Sequence, residues 1–193
     1  TPLTSNTITG NKATGSTGGG VYINYKALSL TGNTINSNTA ATSGGGVAGY
    51  QATINMKSGT VSGNTAGNFG GGISTGTDSN LTVSGGTIGN NVATNHNGGG
   101  IYITAGTGNI TGGTITGNKA TNDCGGGIFT NNGSTLNIKG GTISSNSAKW
   151  GGGVFNQYGG TTNMTGGTVT GNSASDRGGG FFNKASGSTK GET

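Results

Sequence analysis

The 193-residue chain contains one cysteine, one histidine, one proline and one tryptophan. A lone cysteine allows no disulfide framework, and with a single histidine beside it the usual structural zinc sites cannot be assembled within one chain. The scarcity of proline and the lack of a G-X-Y period exclude collagen. Charge is sparse as well: nine Lys+Arg and four Asp+Glu leave a net charge of +5. The cations are scattered, so the clustered basic face of a nucleic-acid binder is missing and no nucleic-acid partner is expected. No apolar run approaches the roughly 20 residues needed to cross a bilayer, so no transmembrane segment is expected.

Glycine stands in place of these residues, with 47 copies. Together with 34 Thr, 25 Asn and 18 Ser it fills 124 positions. These types are poor fillers of helix interiors, which argues against a helical or α/β domain. Low-complexity disorder and repetitive β structure remain, and internal periodicity decides between them.

A glycine triplet begins at Gly18, Gly44, Gly70, Gly98, Gly125, Gly151 and Gly178, at spacings of 26 to 28 residues. A second motif, T-[IV]-x-x-N-x-A, begins at Thr7, Thr34, Thr60, Thr87, Thr114, Thr142 and Thr168. Between them lies a run that usually ends in Gly-Gly, as in Leu81–Gly86 and Leu136–Gly141. Disordered sequence has no reason to hold such a register.

Each unit offers three short runs of alternating apolar residues, which reads as three strands and three turns. Inward positions follow each triplet (Val47, Ile73, Ile101), recur in the middle run (Leu28/Leu30, Leu81/Val83) and fall on the Ile or Val of the second motif. One such coil is too small to fold alone, but coils stacked about 4.8 Å apart pair every backbone and build a continuous core. The fold expected is all-β: a right-handed three-faced parallel β-helix, or β-solenoid, of about seven coils of 26–28 residues. Residues 1–183 form the single solenoid, and 184–193 form a flexible Gly/Ser/Lys tail. The rod should be roughly 30–35 Å long. The repeated Asn11, Asn38, Asn64, Asn91, Asn118, Asn146 and Asn172 are expected at turns, with amides stacked as a structural ladder along the axis.

The GGG-[IV]-[YF] segments followed by SGGTISGNxA-type segments resemble the β-helical repeats of bacterial adhesin-like proteins, including autotransporter passengers. Gly126-Gly127-Ile128 and Phe129-Thr130-Asn131-Asn132 are similar to the GGAI and FxxN motifs of the chlamydial polymorphic outer-membrane proteins. The resemblance implies surface display or adhesion, in an extracellular or cell-surface setting with glycans or a host surface as partners. It carries over no catalytic residue.

Several columns of side chains deserve a chemical test. His96, Asp123, Lys149 and Asp176 each lie two residues before a triplet, so stacking sets them in one column about 5 Å apart. A catalytic or metal cluster and a screened surface ladder worth about 0–1 kcal/mol per ion pair are the two readings; the ladder is favoured. No Gly-Lys pair makes a Walker loop, and the triplets lack the Asp of calcium-binding nonapeptides. Coils of nearly constant length carry no long insertion to build a cleft. The chain is therefore read as a non-enzyme without cofactor or metal.

Directly after each inward residue of the triplet run come Tyr22, Ala48, Ser74, Tyr102, Phe129, Phe155 and Phe182. Alternation points them outward, so Tyr22, Tyr102, Phe129, Phe155 and Phe182, extended by Trp150, are expected as an exposed stripe for binding or packing. The Thr column (Thr7, Thr34, Thr60, Thr87, Thr114, Thr142, Thr168) resembles the TxT face of insect-type ice-binding solenoids, interrupted in its flanking column by Asn36 and Gly89. Sequons stand at Asn80, Asn109, Asn132 and Asn163. Leu3 aligns with the second inward residue of the middle run and Phe181-Phe182 with the first run, so both edges of the stack are expected to be open. End-to-end self-association into a filament and continuation of a longer solenoid both fit open edges. The function expected is an adhesive or structural stalk or filament subunit. Ice binding, and polysaccharide binding or degradation by a β-helix, are the alternatives.

Overall fold

A computed structural model describes residues 1–131, 133–157 and 159–184. The expected tail, 184–193, lies outside the described residues except for Lys184, as does the sequon residue Asn132.

The described strands form three parallel sheets, one per face. The wide sheet has 12 strands and holds both the middle runs and the T-[IV]-x runs. The triplet sheet has seven strands, from Val21–Asn24 to Phe181–Asn183, each following a glycine triplet. The alanine sheet also has seven, from Lys12–Ala13 to Ser173–Arg177. Every pairing joins a strand to its equivalent one coil away, as in Ile73↔Ile101 and Leu81↔Ile54. Like side chains therefore stack on like, and Leu28, Ile54, Ile73, Ile101, Leu136 and their neighbours close into one continuous core.

Two details depart from three strands per coil. Middle and T-[IV]-x runs share a sheet, joined by a glycine bend; in the fifth and sixth coils, counted by their triplets, the two merge into single strands, Thr135–Ser144 and Thr161–Thr170. At this bend Gly86 has φ +83°, and a Cβ there would stand 2.6 Å from the Gly59 carbonyl oxygen. Second, the run from Ile to Ala is broken. The residue before the motif Asn adopts a left-handed conformation, as at Ser37 (φ 56°), Gly63 (φ 61°) and Asn90 (φ 54°). That single bend turns the Asn inward and starts the alanine sheet as the third face.

The inward Asn residues are bonded along the axis. Asn91 donates through both its backbone N–H and its Nδ2 to Asn118 Oδ1, at 3.0 and 2.9 Å. Its Nδ2 also donates to the Val61 carbonyl, at 2.9 Å. The same bonds repeat from Asn11 to Asn172. From Asn38 to Asn146 the amides are buried, and each buried donor and acceptor has a partner, which removes the penalty of burying a polar group. The third glycine of the first six triplets lies against this ladder: a Cβ on Gly100 would stand 2.9 Å from Asn118 Nδ2 and 2.6 Å from the Gly127 carbonyl oxygen. Glycine triplet and asparagine are one device, because the amide fits only where the facing backbone carries no side chain.

Asn118→Ala strands the Asn91 N–H and amide and leaves the Ile88 carbonyl without its side-chain donor. We expect a loss of about 4 kcal/mol, from about 1–3 kcal/mol per unsatisfied buried group, read from urea denaturation by circular dichroism. Asn11→Ala, at the exposed first rung, keeps the backbone N–H bond to Asn38 Oδ1 and strands no donor among the described residues, so it should cost clearly less. Equal losses at the two rungs would contradict the ladder's role.

Candidate functional site

The chemically distinctive region lies on the outer side of the triplet sheet. Tyr22, Ala48, Ser74, Tyr102, Phe129, Phe155 and Phe182 occupy one column in direct register. Alternation points them away from the main core, but they do not form an exposed stripe. Tyr102, Phe129 and Phe155 are only 9%, 2% and 3% exposed. They form a second apolar cluster with Cys124, against which Phe69, Trp150 and Phe182 pack. The covering residues Phe69, Cys124 and Trp150 all come from the position just before a triplet, where the chain folds back over its own sheet. Tyr22 departs from its column partners and stays 51% exposed.

The coil spacing sets the ring geometry. Tyr102 and Phe129 stack at 5.2 Å between centroids, and Phe129 and Phe155 at 5.3 Å with their planes 3° apart. Phe155 meets Phe182 at 5.3 Å, and Phe69 closes the other end against Tyr102 at 4.7 Å. Such pairs contribute about 0.5–1.5 kcal/mol each beyond area burial. Burial raises the Tyr102 phenol above its ordinary value, partly offset by hydrogen bonds with Thr104 and Asn131.

The column of His96, Asp123, Lys149 and Asp176 is broken up by these aromatics. His96 reaches Asp123 at 3.9 Å and stacks on Phe69 at 5.2 Å. Lys149 makes no ion pair among the described residues; its ammonium lies 4.5 Å over the Trp150 ring. Asp176 accepts from Trp150 Nε1 at 2.6 Å and meets Arg177 at 3.6 Å. The ion-pair ladder is thus corrected to one His–Asp pair and a Trp–Asp–Arg cluster. No group of three or more His, Cys, Asp or Glu able to hold a metal occurs among the described residues.

Cys124 shares this neighbourhood. Its thiol donates to Asp123 Oδ1 at 2.8 Å. Burial first, then the Asp123 carboxylate, pushes the thiol well above the ordinary cysteine range, which makes it a poor nucleophile.

On the wide sheet, Thr7 through Thr168 stand in direct register over all seven coils. Thr7 and Thr168 are exposed and the five between are half-buried. The sequon residue Asn80 is exposed, whereas Asn109 and Asn163 bond to Asn137 from either side as a short outer amide ladder.

One cavity of about 310 Å³ opens on the triplet sheet where its column carries Ala48 and Ser74 in place of rings. Tyr22, Tyr50, Phe69 and Tyr102 wall it. Sequence reasoning passed over this place because it weighed the rings present, not the column positions where none stands.

Three parallel sheets around a single stacked core define a parallel β-solenoid. Residues 3–143 match the family described as a right handed beta helix region, and the chain belongs to that family. No curated protein and no solved structure matches the chain.

The Cys124 thiol gives a pH prediction. Its folded pKa is raised, so the fold favours the protonated thiol. That contribution is full below the unfolded thiol value of about 8.5 and is lost as pH rises above it, by up to about 1.4 kcal/mol per pH unit. Urea midpoints at about pH 7.5 and about pH 9.5 should therefore fall in the native chain. Cys124→Ala should flatten that fall.

Proposed function

We propose that this chain is a non-enzymatic extracellular rod: a stalk or adhesin segment displayed at a cell surface, or a subunit that stacks end to end into filaments. The observation that carries this reading is the axial direction of its bonding. Asparagine amides from Asn11 to Asn172 and rings from Phe69 to Phe182 are bonded coil to coil, which suits a rigid spacer. The right handed beta helix family includes polysaccharide-degrading enzymes as well as non-enzymes. The non-enzymatic reading is supported by the acids: Asp123 and Asp176 stand two coils, about 10 Å, apart and are engaged by Cys124 and by Trp150 and Arg177. The resemblance to adhesin-like repeats favours surface display.

Electron microscopy of the purified chain over a concentration series tests the reading. Short stiff rods at every concentration support a stalk segment, and fibres that lengthen with concentration support end-to-end stacking. Particles without a rod shape would sink both. A polyclonal serum raised against the chain should label intact source cells if the extracellular placement holds.

A second reading, ice binding, is favoured by the unbroken register of Thr7 through Thr168. It is weakened by Asn36 and Gly89 in the flanking column. A solution that shows neither thermal hysteresis nor shaped ice crystals removes it.

A further inference from the structure

The cavity over Ala48 marks a missing rung. From the third coil onward each level of the triplet sheet carries a ring outside the main core: Phe69, then Tyr102, Phe129, Phe155 and Phe182. Phe69 comes from the position before the triplet and takes the place of a ring at Ser74, which is why it lies 4.7 Å from Tyr102. Tyr22 supplies a ring at the first level. The second level has none, because its two positions are Ala48 and Ser43, the latter bridged to Phe69.

Tyr22 and Phe69 are thus two coil steps apart, about 9.6 Å at 4.8 Å per step. That interval admits one six-membered ring, with a neighbour on each side at about the spacing seen for the native pairs.

The surroundings narrow the chemistry of that ring. No charged residue lines the cavity. Hydroxyls do: Ser43 and Ser74 border it, and neither side chain is engaged in a hydrogen bond among the described residues. At the mouth, exposed Tyr50 meets exposed Tyr25 edge to face at 5.9 Å. A slot with apolar faces, hydroxyl edges and no charge suits a neutral hexopyranose, whose C–H faces are apolar and whose hydroxyls lie around its rim. An anionic sugar would find no cation, and a purely aromatic ring would leave both serine hydroxyls unused.

We propose that the slot between Tyr22 and Phe69, floored by Ala48, binds one neutral pyranose unit of a glycan, with Tyr50 and Tyr25 contacting the next unit. This assigns a ligand class to the adhesive rod and rests on that reading, yet it fails separately: rods that bind no sugar overturn the slot alone.

The test is titration of the purified chain with cellotetraose, maltotetraose and mannotetraose, followed by tyrosine fluorescence and by isothermal calorimetry. Trigalacturonate and phenol serve as controls. At least one neutral tetrasaccharide should bind saturably, and trigalacturonate and phenol should bind more weakly. Ala48→Phe supplies the missing ring and should weaken binding by about tenfold or more, at a position of the coil where later coils already carry Phe129, Phe155 and Phe182. Tyr22→Ala removes an exposed wall without touching the core and should weaken binding to a similar extent, so the result does not depend on one variant folding. No saturable binding by any of the three would overturn the proposal. So would tighter binding of phenol or trigalacturonate, or unchanged affinity in both variants.

Discussion

Everything in this molecule depends on stacking at one fixed axial interval. A coil contributes too few apolar side chains to fold by itself, so its backbone N–H and C=O groups must find partners on the coils above and below. The asparagine ladder holds that interval at the most crowded corner. Asn38, Asn64, Asn91, Asn118 and Asn146 are buried, a placement that costs several kcal/mol for an unpaired amide. They are tolerated because each amide is bonded to the amides one coil away and to a carbonyl of the wide sheet. The ladder in turn dictates what stands opposite. In every triplet but the last, the third glycine, from Gly20 to Gly153, faces the amide at a distance that excludes a Cβ. Replacing either partner alone breaks the corner.

The same interval explains the outer face. Side chains in register at the coil spacing can stack as rings, and Tyr102, Phe129 and Phe155 do so almost in parallel. A face that would otherwise be a flat sheet of glycine and short strands gains a second core there, roofed by Phe69, Cys124 and Trp150. The ionisable groups nearby are shaped by that roof. Lys149 turns onto the Trp150 ring and Asp176 accepts from the indole nitrogen, so beyond the His96–Asp123 pair the column's charges serve the aromatics and not one another.

Much of this was legible in the sequence because a solenoid writes its geometry as periodicity. The triplets, the T-[IV]-x-x-N-x-A motif and the alternating apolar positions fix which residues share a column, and the family match and the three parallel sheets agree with the fold that follows from them. Alternation also assigns Phe129 and Phe155 to the outside of the triplet sheet. Their burial was not legible, because it depends on a corner folding back over the sheet, and period-2 reasoning says nothing about corners. The residue before each triplet held the clue: Phe69, Cys124 and Trp150 are large or apolar where Thr17 and Ser43 are small and polar. The break between Ile and Ala had a signal of its own. The residue before the motif Asn is Gly10, Gly63, Asn90, Gly117 or Gly171, types that favour the left-handed region, and only Ser37 and Ser145 adopt it without announcing it.

A solenoid of nearly constant coil length has few ways to make a pocket. Long loops that rise from the corners and wall a cleft are missing from the described coils, so concavity has to come from omission inside a ladder. The second coil shows how. Ala48 and Ser43 together leave out a ring that the levels from the third coil onward contain, which forgoes stacking energy of about 0.5–1.5 kcal/mol per contact. A purely mechanical column gains nothing from that loss, and the exposed Tyr22, Tyr25 and Tyr50 around the vacancy add apolar surface that water would rather see covered. Vacancy and exposed rings occur together, at one end of an otherwise closed stack. A recognition site accounts for both, because it needs an empty level to admit a ring and free aromatic faces to hold it.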